Sequence, residues 1–343
     1  MAIGWAMIGT GRVHESMVPA LKEARDTKLV AVCSRDKARA VAFAKEHGIE
    51  RAYDSLDELV HDPEVNVVYV ASPNALHAEQ TIKAAEAKKH VFCEKPMALT
   101  LKECHLMIEA CQKNGVKLGL GVMYRQHPAH IKAHQFVASG DLGQLILVKA
   151  QIELMWRVQQ PRWYFEPGMS GGGIVYMAGV HRIDLLRFIL GCEISEVSAL
   201  IGEQPPERPY EETAMAMAKF DNGACGMLNF YMNIPHGTTS LEVHGSKASL
   251  YLMDTTALWW GGGGGELLLK SSTGTVRYQY EKTNLYKDEV EDFNRCILEG
   301  GQPAGAGIDG LRSAEVCIAM FDSGRQGKVI RLQDLRSSAN SKW

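Results

Sequence analysis

The sequence predicts a two-part α/β protein, in which an N-terminal doubly wound parallel sheet precedes an α+β part with a large, mainly antiparallel sheet. Its 343 residues are too many for one hydrophobic core. In the first third, short Val/Ile/Leu/Ala runs alternate with helical patterns, which is typical of parallel strands buried on both faces. Later strand patterns mostly follow one another, which favours antiparallel pairing.

The parallel part is predicted to end near Tyr124. Its strands are expected at 2–9, 29–33, 65–71, 90–93 and 116–122, and its helices at 15–25, 36–47, 77–88 and 101–114. The second part is predicted to have helices at 128–138, 287–299 and 309–325, and a Gly-rich turn with a helix over 170–190. Its strands are expected at 145–155, 194–202, 213–220, 224–231, 239–245, 248–251 and 276–280. These patterns place one domain at 1–124, a second at 125–335 and a polar tail at 336–343.

The composition excludes several classes of protein. A net charge of −3, with 46% hydrophobic and 22% charged residues, gives no electrostatic basis for binding nucleic acid or an anionic membrane. The N-terminal residues lack a signal-peptide pattern, and no apolar run is long enough to span a bilayer. The 8 cysteines form no C-x-x-C pair. We therefore expect reduced thiols in a cytoplasmic protein, and no metal site.

A glycine-containing turn follows the first strand and reads Gly9, Thr10, Gly11, Arg12, Val13 and His14. Its first two glycines allow a tight turn and a close approach of a pyrophosphate to the N-terminus of the next helix. His14 stands where the dinucleotide-binding fingerprint has Gly or Ala. The position between a strand and a helix favours a nucleotide site over a plain turn.

The second predicted strand ends at a hydroxyl and several cations. Ser34 lies about where an acidic residue would bind the ribose 2′-hydroxyl of NAD, and Arg35 and Arg39 follow. A hydroxyl and guanidinium groups suit a 2′-phosphate, so the sequence favours NADP(H), with NAD as the alternative. The other interpretation is a solvated helix start.

Polar residues also follow two later strands, and the carboxyl ends of parallel strands meet at one edge of a sheet. These residues are Ser72, Pro73, Asn74 and His77 after one strand, and Glu94, Lys95 and Pro96 after the next. Each group alone fits a capped loop or a surface ion pair. Together with the glycine turn, they predict a shared site.

With these motifs, the sequence resembles the Gfo/Idh/MocA family (glucose-fructose oxidoreductase / inositol dehydrogenase) over nearly its whole length. The matching segments are Gly9-Thr10-Gly11, Ser72-Pro73-Asn74 with His77, Glu94-Lys95-Pro96, Arg125 with Pro128, Gly171-Gly172-Gly173 with Gly179, His181 and Asp184, and Asn284-Leu285-Tyr286 with Val290-Glu291-Asp292-Phe293. The resemblance implies a Rossmann domain and an open-faced sheet domain that binds substrate. It also implies a homodimer or homotetramer formed through that sheet.

The resemblance also implies residue roles. Lys95 and His181 are the expected acid/base groups, and Lys95 hydrogen-bonds the reacting oxygen. Glu94 is expected to hold the nicotinamide ribose or to balance the lysine, in a segment whose Lys95-Pro96 bond is often cis in relatives. Further cofactor contacts are expected from Trp163 and Tyr286. Further substrate contacts are expected from Arg125, Tyr164, Met177 and Asp184.

Met177 departs from the family pattern, which commonly has Asp there. Methionine cannot bond a substrate hydroxyl well, so Tyr176, Arg125 or Arg162 could replace the acid, or Met177 only fills space. Trp156 and Arg157, which precede the glycines at 171–173, suit sugar binding or domain packing. Trp259 and Trp260, before a glycine run, suit a hairpin tip or an oligomer contact.

We therefore expect a cytoplasmic NADP(H)-dependent oxidoreductase that interconverts a secondary alcohol and a carbonyl group on a sugar, cyclitol or related polyol. One alternative is a glycosidase or epimerase that oxidises its substrate transiently. The other is a catalytically weak, cofactor-sensing regulatory protein. Met177 suggests this alternative because it replaces the acid that is common in the family.

Overall fold

The computed structural model describes residues 2–155, 162–203, 209–256 and 264–340. The chain divides into two compact units. The first unit comprises Met1–Met123 and Asn284–Leu311, and the second comprises Tyr124–Thr283 and Arg312–Trp343. The chain thus returns to the first unit late in the sequence, a return that the sequence-based division at 124 does not contain.

The first unit is built on a parallel sheet, as predicted. Its strands are β1 (Ile3–Ile8), β2 (Thr27–Cys33), β3 (Arg51–Tyr53), β4 (Val67–Val70), β5 (His90–Cys93) and β6 (Leu118–Leu120). Their order is β3-β2-β1-β4-β5-β6, and every pair is parallel. Its first helices are α1 (His14–Glu23), α2 (Lys37–His47), α3 (Leu56–His61), α4 (His77–Glu86) and α5 (Leu101–Asn114). The sequence patterns missed β3 and α3 because elements of 3 and 6 residues are too short to show a period.

The second unit contains a mainly antiparallel sheet, which is also as predicted. Its strands are β7 (Leu145–Glu153), β8 (Ile194–Ile201), β9 (Thr213–Phe220), β10 (Cys225–Tyr231), β11 (Thr239–Gly245), β12 (Ala248–Met253), β13 (Gly265–Ser271), β14 (Gly274–Tyr280) and β15 (Ile330–Arg331). Their order is β14-β13-β12-β11-β7-β10-β9-β8-β15. Among the described pairs of this sheet, only β7 and β10 run parallel.

The remaining helices are α6 (Pro128–Ala138), α7 (Pro167–Ser170), α8 (Val180–Leu190), α9 (Leu285–Glu299), α10 (Gly307–Gln326) and α11 (Leu332–Asn340). Helix α9 belongs to the first unit. A π-helical turn over Val175–Gly179 leads directly into α8. Helix α11 continues into the segment predicted as a polar tail.

The core of the first unit depends on α9. Trp5 of β1 and Phe92 of β5 lie with their ring centroids 5.8 and 5.2 Å from that of Phe293. The Trp5 indole also donates a hydrogen bond of 3.0 Å to the side chain of Asn294. Because the sheet is covered on this face by a segment far along the chain, α9 is an integral part of the unit.

None of the helices in the described part of the chain has the length and apolar content needed to cross a lipid bilayer. The predictions for Trp156, Arg157, Trp259, Trp260 and the glycines at 261–263 concern residues outside the described ranges.

Candidate active site

The glycine turn between β1 and α1 has the backbone that a pyrophosphate site needs. Gly9 has a φ of 99°, and a Cβ there would lie 2.5 Å from the carbonyl oxygen of Ala71, so only glycine fits. The space beside Gly11 is open. Val13, the N-cap residue of α1, gives no side-chain hydrogen bond to the helix. His14 packs edge-on against Phe43 of α2, with ring centroids 5.0 Å apart.

Ser34 is buried at the end of β2, and Arg35 and Arg39 are exposed beside it. One acidic residue, Asp36, lies in this loop. Its carboxylate accepts a hydrogen bond of 3.1 Å from the backbone N–H of Arg39 and so caps α2.

His77 joins two of the predicted site loops. It is 1% exposed, and its two ring nitrogens lie 2.9 Å from the carbonyl oxygens of Ser72 and Pro96. Burial lowers the pKa of its imidazole. Asn74 is also buried, and the Ser72 hydroxyl donates a hydrogen bond of 2.7 Å to Gln80. The ring of His77 therefore fixes the Ser72 loop against the loop that follows β5.

Glu94 and Lys95 are half-buried beyond the end of β5, and the Lys95-Pro96 bond is cis. The Tyr69 hydroxyl of β4 donates a hydrogen bond of 2.6 Å to the Glu94 carboxyl group. The backbone N–H of Lys95 donates a second, of 3.3 Å. Burial lowers the pKa of the Lys95 ammonium, and the charge of Glu94 opposes that lowering. The pKa of Glu94 is raised by its burial.

In the second unit, Glu211 anchors the glycine-rich turn before α8. Its carboxyl oxygens accept hydrogen bonds of 2.8 Å from the N–H of Gly173 and 3.1 Å from that of Val175. Glu211 is 0% exposed, and burial raises its pKa. A Cβ at Gly173 would collide with the Glu211 backbone carbonyl. Both the side chain and the backbone of Glu211 therefore hold this segment in place.

His181 follows the π-helical turn and is half-buried, as is Met177. The His181 ring packs edge-to-face on Tyr124, with centroids 5.2 Å apart. Tyr124 is buried, and the backbone carbonyl of Tyr124 lies 2.7 Å from Nδ1 of the buried His130. The guanidinium of Arg182 lies 5.9 Å from the Tyr124 ring centroid. Buried rings thus support the imidazole of His181.

Arg125 and Asp184 pair with each other. The Arg125 guanidinium donates hydrogen bonds of 2.8 and 2.7 Å to the two oxygens of Asp184, and both residues are buried. Arg187 lies 3.8 Å from the same carboxylate and also binds Glu193 at 2.6 Å. The predicted substrate-binding roles of Arg125 and Asp184 thus stay predictions, beside an observed role inside a buried charge network.

The remaining residues predicted to line the site occupy different environments. Trp163 and Tyr164 are half-buried, with ring centroids 4.0 Å apart. Arg162 is exposed and pairs with Glu166 at 3.2 Å. Tyr176 is buried and stacked on Phe321 at 5.6 Å. In the first unit, Tyr286 of α9 is half-buried against the core.

Sequence reasoning missed Tyr69 and Glu211. Tyr69 had a signal, because it is the polar residue in the strand Val-Val-Tyr-Val. Glu211 had none, since an acid that binds backbone amides 36 to 38 positions away has no local pattern. In the part of the chain that the structure describes, no group of three or more His, Cys, Asp or Glu side chains is arranged to hold a metal ion.

Both parts of the chain match known protein families. Residues 3–122 match the oxidoreductase family with an NAD-binding Rossmann fold, and residues 130–251 match the GFO/IDH/MocA C-terminal domain. The chain belongs to the Gfo/Idh/MocA oxidoreductase family. The resemblance seen in the sequence is confirmed.

Individual relatives span nearly the whole chain. The 1,5-anhydro-D-fructose reductase of Ensifer adhaerens is 29% identical over 330 residues, which cover 96% of this chain and 98% of that protein. The scyllo-inositol 2-dehydrogenase (NAD(+)) of Bacillus subtilis (strain 168) is 29% identical over 343 residues, or 97% of each chain. The crystal structure of an aldose-aldose oxidoreductase from Caulobacter crescentus, complexed with glycerol, has a TM-score of 0.87 and 26% identity and covers 96% of this chain and 100% of that one. This Gfo/Idh/MocA protein is an NAD(P)-dependent oxidoreductase that acts on CH–OH groups.

Proposed function

We propose that the protein interconverts a secondary alcohol and a carbonyl group on a sugar, a cyclitol or a related polyol, with NADP(H) as the cofactor. Lys95 and His181 are the acid/base groups. The observation that carries this proposal is the half-buried Lys95 ammonium beside Glu94 at the carboxyl end of β5, in a family of polyol oxidoreductases. The relatives named for anhydrofructose and scyllo-inositol support the substrate class.

Lys95 suits proton transfer because its environment opposes the charged form. Burial lowers the pKa of its ammonium, so the group can release and regain a proton more readily than an exposed lysine. Glu94 balances its charge and is itself held by Tyr69. An ammonium that donates to the reacting oxygen stabilises the negative charge that develops there.

His181 suits the second proton role because its imidazole is half-buried and held in place. Its ring packs on the buried Tyr124, and the segment before it is anchored by Glu211. An imidazole exchanges protons near neutral pH, so it can take a hydroxyl proton or return one. Trp163, Tyr164, Arg125, Asp184 and Met177 remain the proposed cofactor and substrate contacts of this unit.

The residues of the first unit fit a nicotinamide dinucleotide. The backbone of the glycine turn leaves open space beside Gly11, and a Cβ at Gly9 would fill the space next to Ala71. A bound nicotinamide supplies or accepts the hydride. The residues that would hold the cofactor are Gly9, Thr10, Gly11, Arg12, Val13, Ser34, Arg35, Arg39, Ser72, Pro73, Asn74, His77, Glu94 and Tyr286.

The direct test is Lys95→Ala in an assay that follows the reduced-nicotinamide absorbance over a panel of sugars and cyclitols. We expect kcat to fall about 10²-fold, the size of a lost acid/base contribution. The matched control is Lys113→Ala, an exposed lysine of α5. An unchanged rate in the Lys95 variant would refute the role.

Turnover of a glycoside or an epimerisable sugar without net nicotinamide change would favour transient oxidation. A lack of any turnover alongside tight cofactor binding would favour the regulatory alternative.

The preference for NADP(H) is a finer proposal. Asp36, the acid of this loop, is used as the cap of α2, while Ser34, Arg35 and Arg39 offer a hydroxyl and two cations. We expect a higher kcat/KM with NADPH than with NADH. Arg39→Ala should lower the NADPH value about tenfold, the size of a lost charge-assisted hydrogen bond, and leave the NADH value nearly unchanged. Lys45→Ala, an exposed cation of the same helix, is the control. A preference for NADH contradicts the proposal.

We also propose that the second domain, predicted at 125–335, binds substrate and forms a homodimer or homotetramer through its sheet. One face of β8, β9 and β10 exposes Leu200 (75%), Met217 (68%), Met227 (42%) and Met215 (40%). In the sheet register, Met217 pairs with Met227 and Leu200 pairs with Met215, so the four side chains form one apolar patch. A second copy of the chain carries the same apolar patch and can cover it in a two-fold interface.

The cytoplasm remains the proposed compartment. All 8 cysteines are free thiols, and reduced thiols fit a reducing compartment.

A further inference from the structure

Glu289 of α9 is a buried acid that the proposed reaction does not use. The residue is 4% exposed, and both of its carboxyl oxygens are buried without a hydrogen-bond partner among the described residues. An ionised carboxylate in such a place would lose its hydration without replacement, which strongly disfavours the charged form. Its presence inside the unit therefore needs a physical explanation.

Packing brings Glu289 near Glu94, whose charge acts on it. Phe293 lies one helical turn after Glu289 on the same face of α9, and its ring packs on Phe92 with centroids 5.2 Å apart. Glu94 lies two residues after Phe92, on the same side of the extended chain. Glu289 therefore lies on the face of α9 that packs on the end of β5. The charge of Glu94 accordingly raises the pKa of Glu289, next to the larger effect of burial.

The two carboxyl groups have unequal surroundings. Glu94 accepts hydrogen bonds from the Tyr69 hydroxyl at 2.6 Å and from the Lys95 N–H at 3.3 Å, and it lies beside the Lys95 ammonium. Its carboxyl group also fills the space that Gly121 leaves, because a Cβ there would lie 2.8 Å from Oε1. Two neighbouring carboxyl groups, one of them fully buried, do not readily both ionise. Since the donors surround Glu94, the negative charge belongs on Glu94 and the proton on Glu289.

We propose that Glu289 holds the proton of a buried Glu94–Glu289 carboxyl pair and acts as a positioning residue that keeps Glu94 ionised beside Lys95. A neutral carboxyl group can donate toward its ionised neighbour, and a donor favours the ionised form. The pair then carries one negative charge against the one positive charge of Lys95. The consequence for catalysis rests on the proposed function, whereas the protonation of Glu289 does not.

The other charges around this pair are consistent with a neutral Glu289. Tyr69 faces it from β4, and burial together with Glu94 raises the pKa of that phenol, so Tyr69 stays a donor. On α9 itself, Tyr286 and Asp292 are the neighbouring groups, and Asp292 binds Arg295 and the N–H of Ala304. Helix α1 packs against α9 with apolar side chains. The charged side chains of α1 are exposed, namely Glu15, Lys22 and Glu23.

Infrared spectroscopy of the full chain tests the protonation directly. The difference spectrum between the wild type and Glu289→Gln should show the loss of a protonated-carboxyl carbonyl band at neutral pH. Glu315→Gln is the matched control, because Glu315 is equally buried but pairs with Arg312 and Arg336. That variant should leave the protonated-carboxyl band unchanged. If Glu289→Gln instead removes a carboxylate band, Glu289 is ionised and the proposal is wrong.

The pH profile of kcat/KM tests the positioning role. Glu289→Met has a similar volume but no donor, so Glu94 should ionise less readily and the acid limb should move to higher pH. The expected shift is about one pH unit, the size of a hydrogen bond to a carboxylate, and Glu289→Gln, which keeps a donor, should shift the limb less. A shift to lower pH would show that a negative charge had been removed. An unshifted limb in both variants would show that the two groups are not coupled. Either result overturns the positioning role.

The two measurements also separate this proposal from the proposed function. If no polyol is turned over, the redox assignment fails, and the infrared bands still decide whether Glu289 is protonated. If Glu289→Met does not fold, Glu289→Gln supplies both measurements, since an amide replaces a neutral acid of nearly the same shape. In that case the acid limb should move upward by less than one unit, and a downward or absent shift counts against the positioning role.

Discussion

At the scale of single residues, the Arg125–Asp184 pair shows how a predicted substrate site can also be part of the framework. Its two charge-assisted hydrogen bonds are 2.7 and 2.8 Å long and buried. Loss of one partner of a buried pair leaves an uncompensated charge away from water. The energetic role of the pair can therefore be separated from a role in substrate binding.

Arg125→Met should lower the free energy of unfolding by about 3–5 kcal/mol, because Asp184 would be left buried without its main partner. Chemical denaturation of the purified variant measures this loss. The double variant Arg125→Met/Asp184→Leu should recover part of it, since both charges are then removed. Arg162→Met, which breaks an exposed pair with Glu166, should change stability little. Unchanged stability with a raised KM for substrate would show that binding is the main role of Arg125.

Residue predictions from the sequence were most informative where the chemistry is local. The segments around Gly9, Ser72 and Glu94 each follow a strand, so their shared edge could be inferred from the order of elements. The partners of those residues could not be inferred. Tyr69 reaches Glu94 from the neighbouring strand, and neither a strand pattern nor a helix pattern records which side chains meet across a unit.

At the scale of elements, the segment before α8 departs from a regular helix. The spacing of Met177, His181 and Asp184 predicts one α-helical face, but the turn over Val175–Gly179 is π-helical. An i+5 turn is wider and rotates the residues that follow it, and such turns are frequent at functional sites. Asp184 pairs with Arg125, whereas Met177 and His181 are half-buried.

The glycine turn that starts this element should tolerate no side chain. A Cβ at Gly173 would collide with the backbone carbonyl of Glu211, so Gly173→Ala should lower the free energy of unfolding by about 1–3 kcal/mol or more. It should also lower kcat, because the displaced segment carries His181. Thermal unfolding and steady-state kinetics measure both effects. Gly168→Ala is the matched control, since its Cβ would meet no atom within 4 Å. Equal behaviour of the two variants would contradict a tightly held turn.

Elements with a clear period were predicted well and irregular ones were not. The strands and helices of the parallel sheet were placed to within a few residues, because buried Val and Ile runs are distinct from amphipathic helices. The sequence analysis did not identify β13, although its register with β12 and β14 is regular. The π-helical turn has no hydrophobic period of its own, which explains why it was predicted as part of a helix.

At the scale of the whole molecule, the apolar patch on β8, β9 and β10 should decide the oligomeric state. Met217→Glu places a charge at the centre of that patch and should convert the proposed oligomer to a monomer, because burying an unpaired carboxylate in an interface is costly. Size-exclusion chromatography with light scattering measures the change. Leu298→Glu, at an exposed leucine of α9, is the matched control and should leave the mass unchanged. A monomeric wild type would refute assembly through this face.

The return of α9 to the first unit has a consequence for biosynthesis. Trp5 and Phe92 leave the ribosome long before Phe293, the ring that covers them, has been translated. The nascent chain must therefore carry an incompletely covered apolar sheet while β7 to β14 are being translated, and its first unit matures only after α9 has been made. A premature stop codon anywhere before α9 would thus leave the first unit without the helix that covers its sheet, however distant that stop is from the turn at Gly9.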